Sequence, residues 1–199
     1  MMDYRSSGIG HWNWLIAVSS ARFNANMVKT VFMNWQSRPM ESIAIHELIF
    51  CASNLALATE LYLKATLVSN TGQAPKNTHN LGELYDSPPA SLEMEIDSRY
   101  KPIFEERYAN LTKGEVWIRL DEGPLPTDKR PTTLNEVLHH YSSDYVDWRY
   151  IFALNSKKQP SNLRGLHYSR LMCLCEAIDG YLQATFPQFI KATGIQILK

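Results

Sequence analysis

The sequence predicts an all-α protein: a single domain over 1–199, with a bundle of five to six helices at about 12–186 and an irregular insertion around 112–132. Three observations predict it. Apolar residues recur at three- and four-residue steps over most of the chain, the repeat of a helix face. Proline and glycine sit mainly between these stretches, as breakers do. The one segment that reads as strand, Val116 to Leu120, has no obvious partner. Helices joined by short connections pack as a bundle.

The first helix spans Trp12 to Trp35, with Leu15, Val18, Phe23, Met27, Val31 and Trp35 as its stripe. Ser37-Arg38-Pro39 breaks it, because the residue before proline is pushed out of helical geometry. Glu41 to Val68 is the strongest helix, rich in Ala and Leu and free of Gly and Pro. Ser69 to Thr78 reads as a loop with Gly72 and Pro75. Thr78 is placed to cap a short helix from His79 to Tyr85. Ala90 to Leu111 follows, with Ile96, Tyr100, Ile103, Phe104, Tyr108 and Leu111 as its apolar side and Pro102 as a kink.

The insertion is marked by Gly114, Gly123, Pro124, Pro126 and Pro131. Thr133 and Glu136 then form a capping box for a helix running toward Tyr145. Asp147 to Leu154 is a separate apolar segment, and Asn155 to Asn162 is a polar, basic loop. The last helix spans Leu163 to Thr185, its buried side made by Leu163, Leu166, Leu171, Leu174, Ile178, Tyr181 and Leu182.

Composition narrows the function classes. The 199 residues are 45% hydrophobic and 20% charged, as in a globular protein. Twenty basic residues balance twenty acidic ones, so the overall basic footprint of a nonspecific nucleic-acid binder is missing. No apolar run reaches the roughly eighteen residues that cross a bilayer, and Trp12 to Val18 is short for a signal sequence. The expected location is cytoplasmic, with no membrane partner. Three cysteines agree: Cys51 in an apolar helix, and Cys173 and Cys175 two apart and so on different helix faces. No Cys/His cluster has zinc-ligand spacing, and neither a metal nor a cofactor is expected.

Three places could carry chemistry. On the long second helix, His46, Ser53, Glu60 and Lys64 fall within an arc of roughly 40° at about 100° per residue. They are either a solvent-facing stripe with one i,i+4 ion pair, or, on a helix packed nearly all round, the lining of a cleft or partner interface that His79 approaches from the next segment. His79 itself either fixes the turn by hydrogen-bonding the backbone or has a catalytic role. In Tyr145-Val146-Asp147-Trp148-Arg149-Tyr150, Arg149 lies between aromatics. It either pairs with a nearby acid or presents its guanidinium fork to a phosphate or carboxylate. Arg164 and His167 are neighbours on one face of the predicted last helix. They are either a solvated helix start or an anion clamp with an acid–base partner.

With those residues in view, the chain resembles the HEPN superfamily (higher eukaryotes and prokaryotes nucleotide-binding). The resemblance rests on E-L-Y-L-K-A at Glu60 to Ala65, H-N-L-G-E-L at His79 to Leu84 and W-R-Y at Trp148 to Tyr150. It follows the helix order over roughly 41–186. It implies a helical bundle that forms a homodimer. Many members are metal-independent ribonucleases, often toxins or antiviral effectors, with Arg, four to six residues, then His on a late helix. This chain departs from that pattern: Arg164-Gly165-Leu166-His167 leaves two residues between, and Arg5 and His11, which have the spacing, precede the first helix.

Three functions are therefore expected in competition. The first is a noncatalytic module binding a nucleotide or other anion through Glu60, Lys64, His79 and Arg149, with Arg164 as a further contact. The second is a divergent ribonuclease of the toxin or defence type, acting on RNA with Arg164 as clamp and His167 as acid–base. The third is a protein-interaction or antitoxin-like module with a protein partner.

Overall fold

A computed structural model describes residues 13–119, 131–140 and 163–187. These form an all-α bundle with one two-stranded sheet. The helices are α1 (Trp14–Gln36), α2 (Ile45–Thr71), α3 (Leu81–Tyr85), α4 (Ala90–Ile103), α5 (Leu134–His140) and α6 (Tyr168–Thr185). The strands are β1 (Val116–Arg119) and β2 (Leu163–Leu166), and a 3-10 turn, Met40–Ser42, precedes α2.

α1 and α2 form the most extensive helix pair, and α6 packs across α2 and α4. α3 bridges α2 and α5. One apolar core runs through all of them, from Trp14 and Phe32 through Leu55 and Leu63 to Leu174 and Ile178. α2 and α6 are its central pieces. From Tyr62 to Ser69 every residue of α2 is buried, as is every residue of α6 from Leu171 to Asp179.

α2 is also, by length and composition alone, apolar enough to pass as a membrane-crossing helix, although polar residues interrupt its apolar stretches. Here 72% of that stretch is buried against protein, the arrangement of a core helix.

Several boundaries differ from expectation, each for a local reason. α1 buries Val18 and Trp35 of the predicted stripe, and Leu15 and Val31 in part, but not Phe23 and Met27. Its inner face is Trp14, Ala17, Val18, Ala21, Arg22, Ala25, Val28, Phe32 and Trp35, while Phe23 and Met27 are exposed. Small alanines let α2 approach closely, and that outweighs the larger side chains on the other face. α2 starts later than expected, where the Glu47 carboxylate accepts from the Ala44 N–H at 2.9 Å and holds Arg38. It ends later too, at Gly72, whose φ of +67° closes the last turn as only glycine does without strain.

Asn80, not Thr78, caps α3: its side chain accepts from the Glu83 N–H at 3.0 Å. Thr78 braces the cap by accepting from the Asn80 N–H at 3.1 Å. Pro102 lies within α4, which gives way to a π-helical turn at Phe104–Tyr108. There the Ala109 N–H reaches back five residues to the Phe104 carbonyl at 2.8 Å. The Thr133–Glu136 capping box forms, with Glu136 N–H to Thr133 Oγ1 at 3.2 Å and Thr133 N–H to Glu136 Oε2 at 3.0 Å.

The largest correction lies at the last helix. Residues 163–166 are not its first turn but β2, antiparallel to β1, with Val116 opposite Leu166 and Trp117 opposite Gly165. The Trp117 ring lies over Gly165, where a Cβ would come within 2.8 Å of it. The lone strand of the predicted insertion thus has a partner far away in sequence. The segments Asp147 to Leu154 and Asn155 to Asn162 lie outside the described residues.

Candidate functional site

Glu60 and Lys64 sit one turn apart on the buried half of α2, 4% and 9% exposed. A carboxylate and an ammonium taken out of water have to be paired. Lys64 Nζ donates to Glu60 Oε1 at 2.8 Å. The spacing that gives a weak pair on an open helix surface here builds an interior ion pair. The other two members of the predicted stripe stand apart from it: Ser53 is half-buried and His46 is exposed.

His79 joins from the loop after α2. Its Nδ1 lies 3.1 Å from both Glu60 oxygens. An ionised carboxylate only accepts, so Nδ1 carries the proton and Nε2 is on the far edge of the ring. That ring is 58% exposed at its side chain. Its placement follows from the turn chemistry. Gly72 ends α2, and Thr78 and Asn80 lock the start of α3, with His79 between them. His79 thus reaches the Glu60 end of the pair, whereas His46 and Ser53 of the stripe do not take part. Arg149 lies outside the described residues.

Arg164 and His167 do not form a pair on one helix face. Arg164 is on β2, opposite Ile118, and His167 is the residue that precedes α6. The His167 side chain is fully buried, edge-on to Trp117 with ring centres 5.1 Å apart. Its Nδ1 is 3.5 Å from Glu115 Oε1, and Arg170 Nε is 3.5 Å from the same oxygen. His167 and then Arg170 hold the Glu115 carboxyl below the usual carboxylate range, against the opposing effect of burial. The Arg170 guanidinium also lies over the Phe104 ring at 4.9 Å.

Two further charge centres escape a sequence reading. The Asp179 carboxylate accepts from Arg22 Nε at 2.6 Å and from the Tyr62 hydroxyl at 3.0 Å. The Glu176 carboxylate meets Lys29 at 3.0 Å, Arg107 at 2.7 Å and the Tyr108 hydroxyl at 2.7 Å. Burial, and then the neighbouring Glu176 charge, pushes the Tyr108 hydroxyl far above its ordinary range. The available signal was composition: Arg22 and Lys29 are the two charged residues of α1, a helix otherwise uncharged. These two centres join α6 to α1 and to the π turn, and they are structural ties.

A separate open cleft of about 390 Å³ lies between α2, α4 and α6, lined by Asn70, Thr71, Ser91, Leu92, Glu95 and Tyr181. Neither Lys64 nor His79 lines it. Among the described residues no group of three or more His, Cys, Asp or Glu is placed to hold a metal. Comparison with models of protein families, with curated proteins and with solved structures finds no match. The chemistry available at Glu60, Lys64 and His79 is that of directed donors held on one buried anchor.

Proposed function

We propose that this protein is a noncatalytic HEPN-like module that binds a nucleotide or another ligand bearing a phosphate or carboxylate. Lys64 and His79 are its contacts, Glu60 is their anchor, and Arg149 joins them on the ground of sequence alone. One observation supports this above the others: a single buried carboxylate holds both an ammonium and an exposed imidazole. An ammonium has three donors. Among the described residues, the hydrogen bond of Lys64 goes to Glu60. Two donors are left for an acceptor, and a phosphate or carboxylate oxygen is the acceptor that best matches a cation.

Ribonuclease chemistry at Arg164 and His167 fits less well. A fully buried His167 cannot meet an RNA phosphate without opening of the strand–helix junction.

The test is a thermal-shift series on the full chain with nucleoside triphosphates, nucleoside monophosphates and pyrophosphate, against sodium chloride of equal ionic strength. Wild type is expected to gain melting temperature with at least one of them, and His79→Ala and Arg149→Ala to lose that gain. Arg99→Ala, on the exposed side of α4, is expected to keep it. A gain that survives both site variants, or no gain beyond the salt control, overturns the assignment.

A further inference from the structure

The open cleft of about 390 Å³ between α2, α4 and α6 has a chemistry of its own. The side chains around it turn their donors into the protein. Tyr181 donates its hydroxyl hydrogen to Asn70 Oδ1 at 2.5 Å. The Asn70 amide donates to the Thr66 carbonyl at 2.8 Å and to Ser69 Oγ at 3.3 Å. Thr71 Oγ1 donates to the Leu67 carbonyl at 2.8 Å. Pro89, also in the lining, has no N–H. The hydroxyl of Ser91 is the remaining side-chain donor, and it accepts as readily as it donates.

The acceptors are left open. Glu95 is the charged residue of the lining. Arg99, one turn on, donates to its Oε1 from Nε at 3.1 Å and from Nη2 at 2.9 Å. Among the described residues Glu95 Oε2 accepts no hydrogen bond. α2 ends on the cleft wall at Asn70 and Thr71, and among the described residues the carbonyls of these two also accept none. They form the negative end of a 27-residue helix whose last turn carries no basic residue to answer it. The start of α4, which reaches the same cleft at Pro89 and Ser91, does have an answering charge, Glu93 in its first turn. The pole left uncompensated is the negative one.

We propose that this cleft binds a small organic cation, a primary amine in its ammonium form, with Glu95 Oε2 and the end of α2 as acceptors. An ammonium has three N–H donors and no acceptor, the complement of a wall rich in open oxygens and poor in donors. A phosphate or carboxylate would meet those oxygens with almost nothing to donate to it. The body of such a molecule has apolar contacts in Leu92 and Tyr181, each 7% exposed, and a tyrosine ring attracts a cation. The volume falls within the range of small-molecule sites. Neither Lys64 nor His79 lines the cleft, so this site and the anion site stand or fall separately.

The test is isothermal titration calorimetry of the full chain with tyramine hydrochloride, against tetramethylammonium chloride and potassium chloride at equal ionic strength. Tyramine is expected to bind with a Kd below about 1 mM. Tetramethylammonium has the charge but no N–H, and is expected to bind at least about 10-fold more weakly. Glu95→Gln is expected to weaken tyramine at least about 10-fold. Arg99→Ala, which frees Glu95 Oε1, is expected to strengthen it, and Glu106→Gln, an exposed carboxylate on the π-helical turn, to leave it unchanged. Ser91→Trp fills the cleft from an exposed position on α4 and is expected to abolish binding, which gives a second variant should Glu95→Gln disturb the helix. No binding of tyramine, equal affinity for tetramethylammonium or potassium, or wild-type affinity in a folded Glu95→Gln or Ser91→Trp each overturns the inference.

Discussion

Removing the Glu60 carboxylate tests whether the interior of α2 is built as described. In Glu60→Ala the Lys64 ammonium stays buried, 9% exposed, without its counter-charge. Breaking a buried pair from one side costs about 3–5 kcal/mol, whereas an exposed pair is worth roughly 0–1 kcal/mol. Folded domains have about 5–15 kcal/mol in total, so the loss is a large share. With a urea m-value of about 2 kcal/mol/M, the unfolding midpoint falls by about 1.5–2.5 M at constant m. The partner experiment replaces both charges by apolar groups of similar size, Glu60→Leu with Lys64→Met. That pair is expected within about 1–2 kcal/mol of wild type, because no uncompensated charge is left. His79→Ala, with its side chain 58% exposed, is expected to cost less than about 1 kcal/mol. The assay is equilibrium urea unfolding followed by tryptophan fluorescence. A loss below about 1 kcal/mol in Glu60→Ala, the value of an exposed pair, refutes the burial of this site.

Three other outcomes follow from the same structure. Gly165→Ala forces the Trp117 ring to move from a Cβ 2.8 Å away, and is expected to cost about 1–3 kcal/mol and to shift tryptophan emission; unchanged stability and emission would disprove the β1–β2 contact. The Glu136 carboxyl is held at about 2 by hydrogen bonds from the Thr132 and Thr133 backbone, so its contribution is present above the unfolded value of about 4.3 and is lost as pH falls from there toward 2. Glu136→Gln is expected to flatten acid unfolding in that window, and an unaltered profile counts against the cap. Burial pushes the Cys51 and Cys175 thiols up to about 12, and Cys173 upward as well, so at pH 8 all three are expected to react with a thiol reagent only as the protein unfolds. Fast labelling of any of them in native buffer contradicts that burial.

What was legible in the sequence is what is local. The Glu60–Lys64 spacing, the turn that brings back His79 nineteen residues later, and the Thr133–Glu136 box all lie within short stretches. Helical periodicity also recovers the bundle, because a buried α6 and a buried α2 each repeat apolar residues over several turns. What failed is long-range. Two four-residue strands at 116 and 163 cannot be paired from periodicity, and Gly165 reads as an ordinary glycine until Trp117 lies on it. The face of α1 was misjudged because Phe23 and Met27 outweigh Ala17, Ala21 and Ala25 in size, while close helix packing favours the small residues. Arg22 and Lys29 pair with residues 157 and 147 positions away, a distance that no local pattern spans.

Those two ties have a consequence for how the chain is made. During synthesis at about 5–20 residues per second, Arg22 emerges roughly 8–30 s before the carboxylate it will hold. α1 and α2 are adjacent in sequence and can associate early, before the α6 carboxylates that hold Arg22 and Lys29 have been made. The two ties from α1 to α6 close only once α6 has emerged. A product ending before Glu176 lacks both ties and most of the helix that covers α2 and α4, the kind of chain that cellular quality control removes.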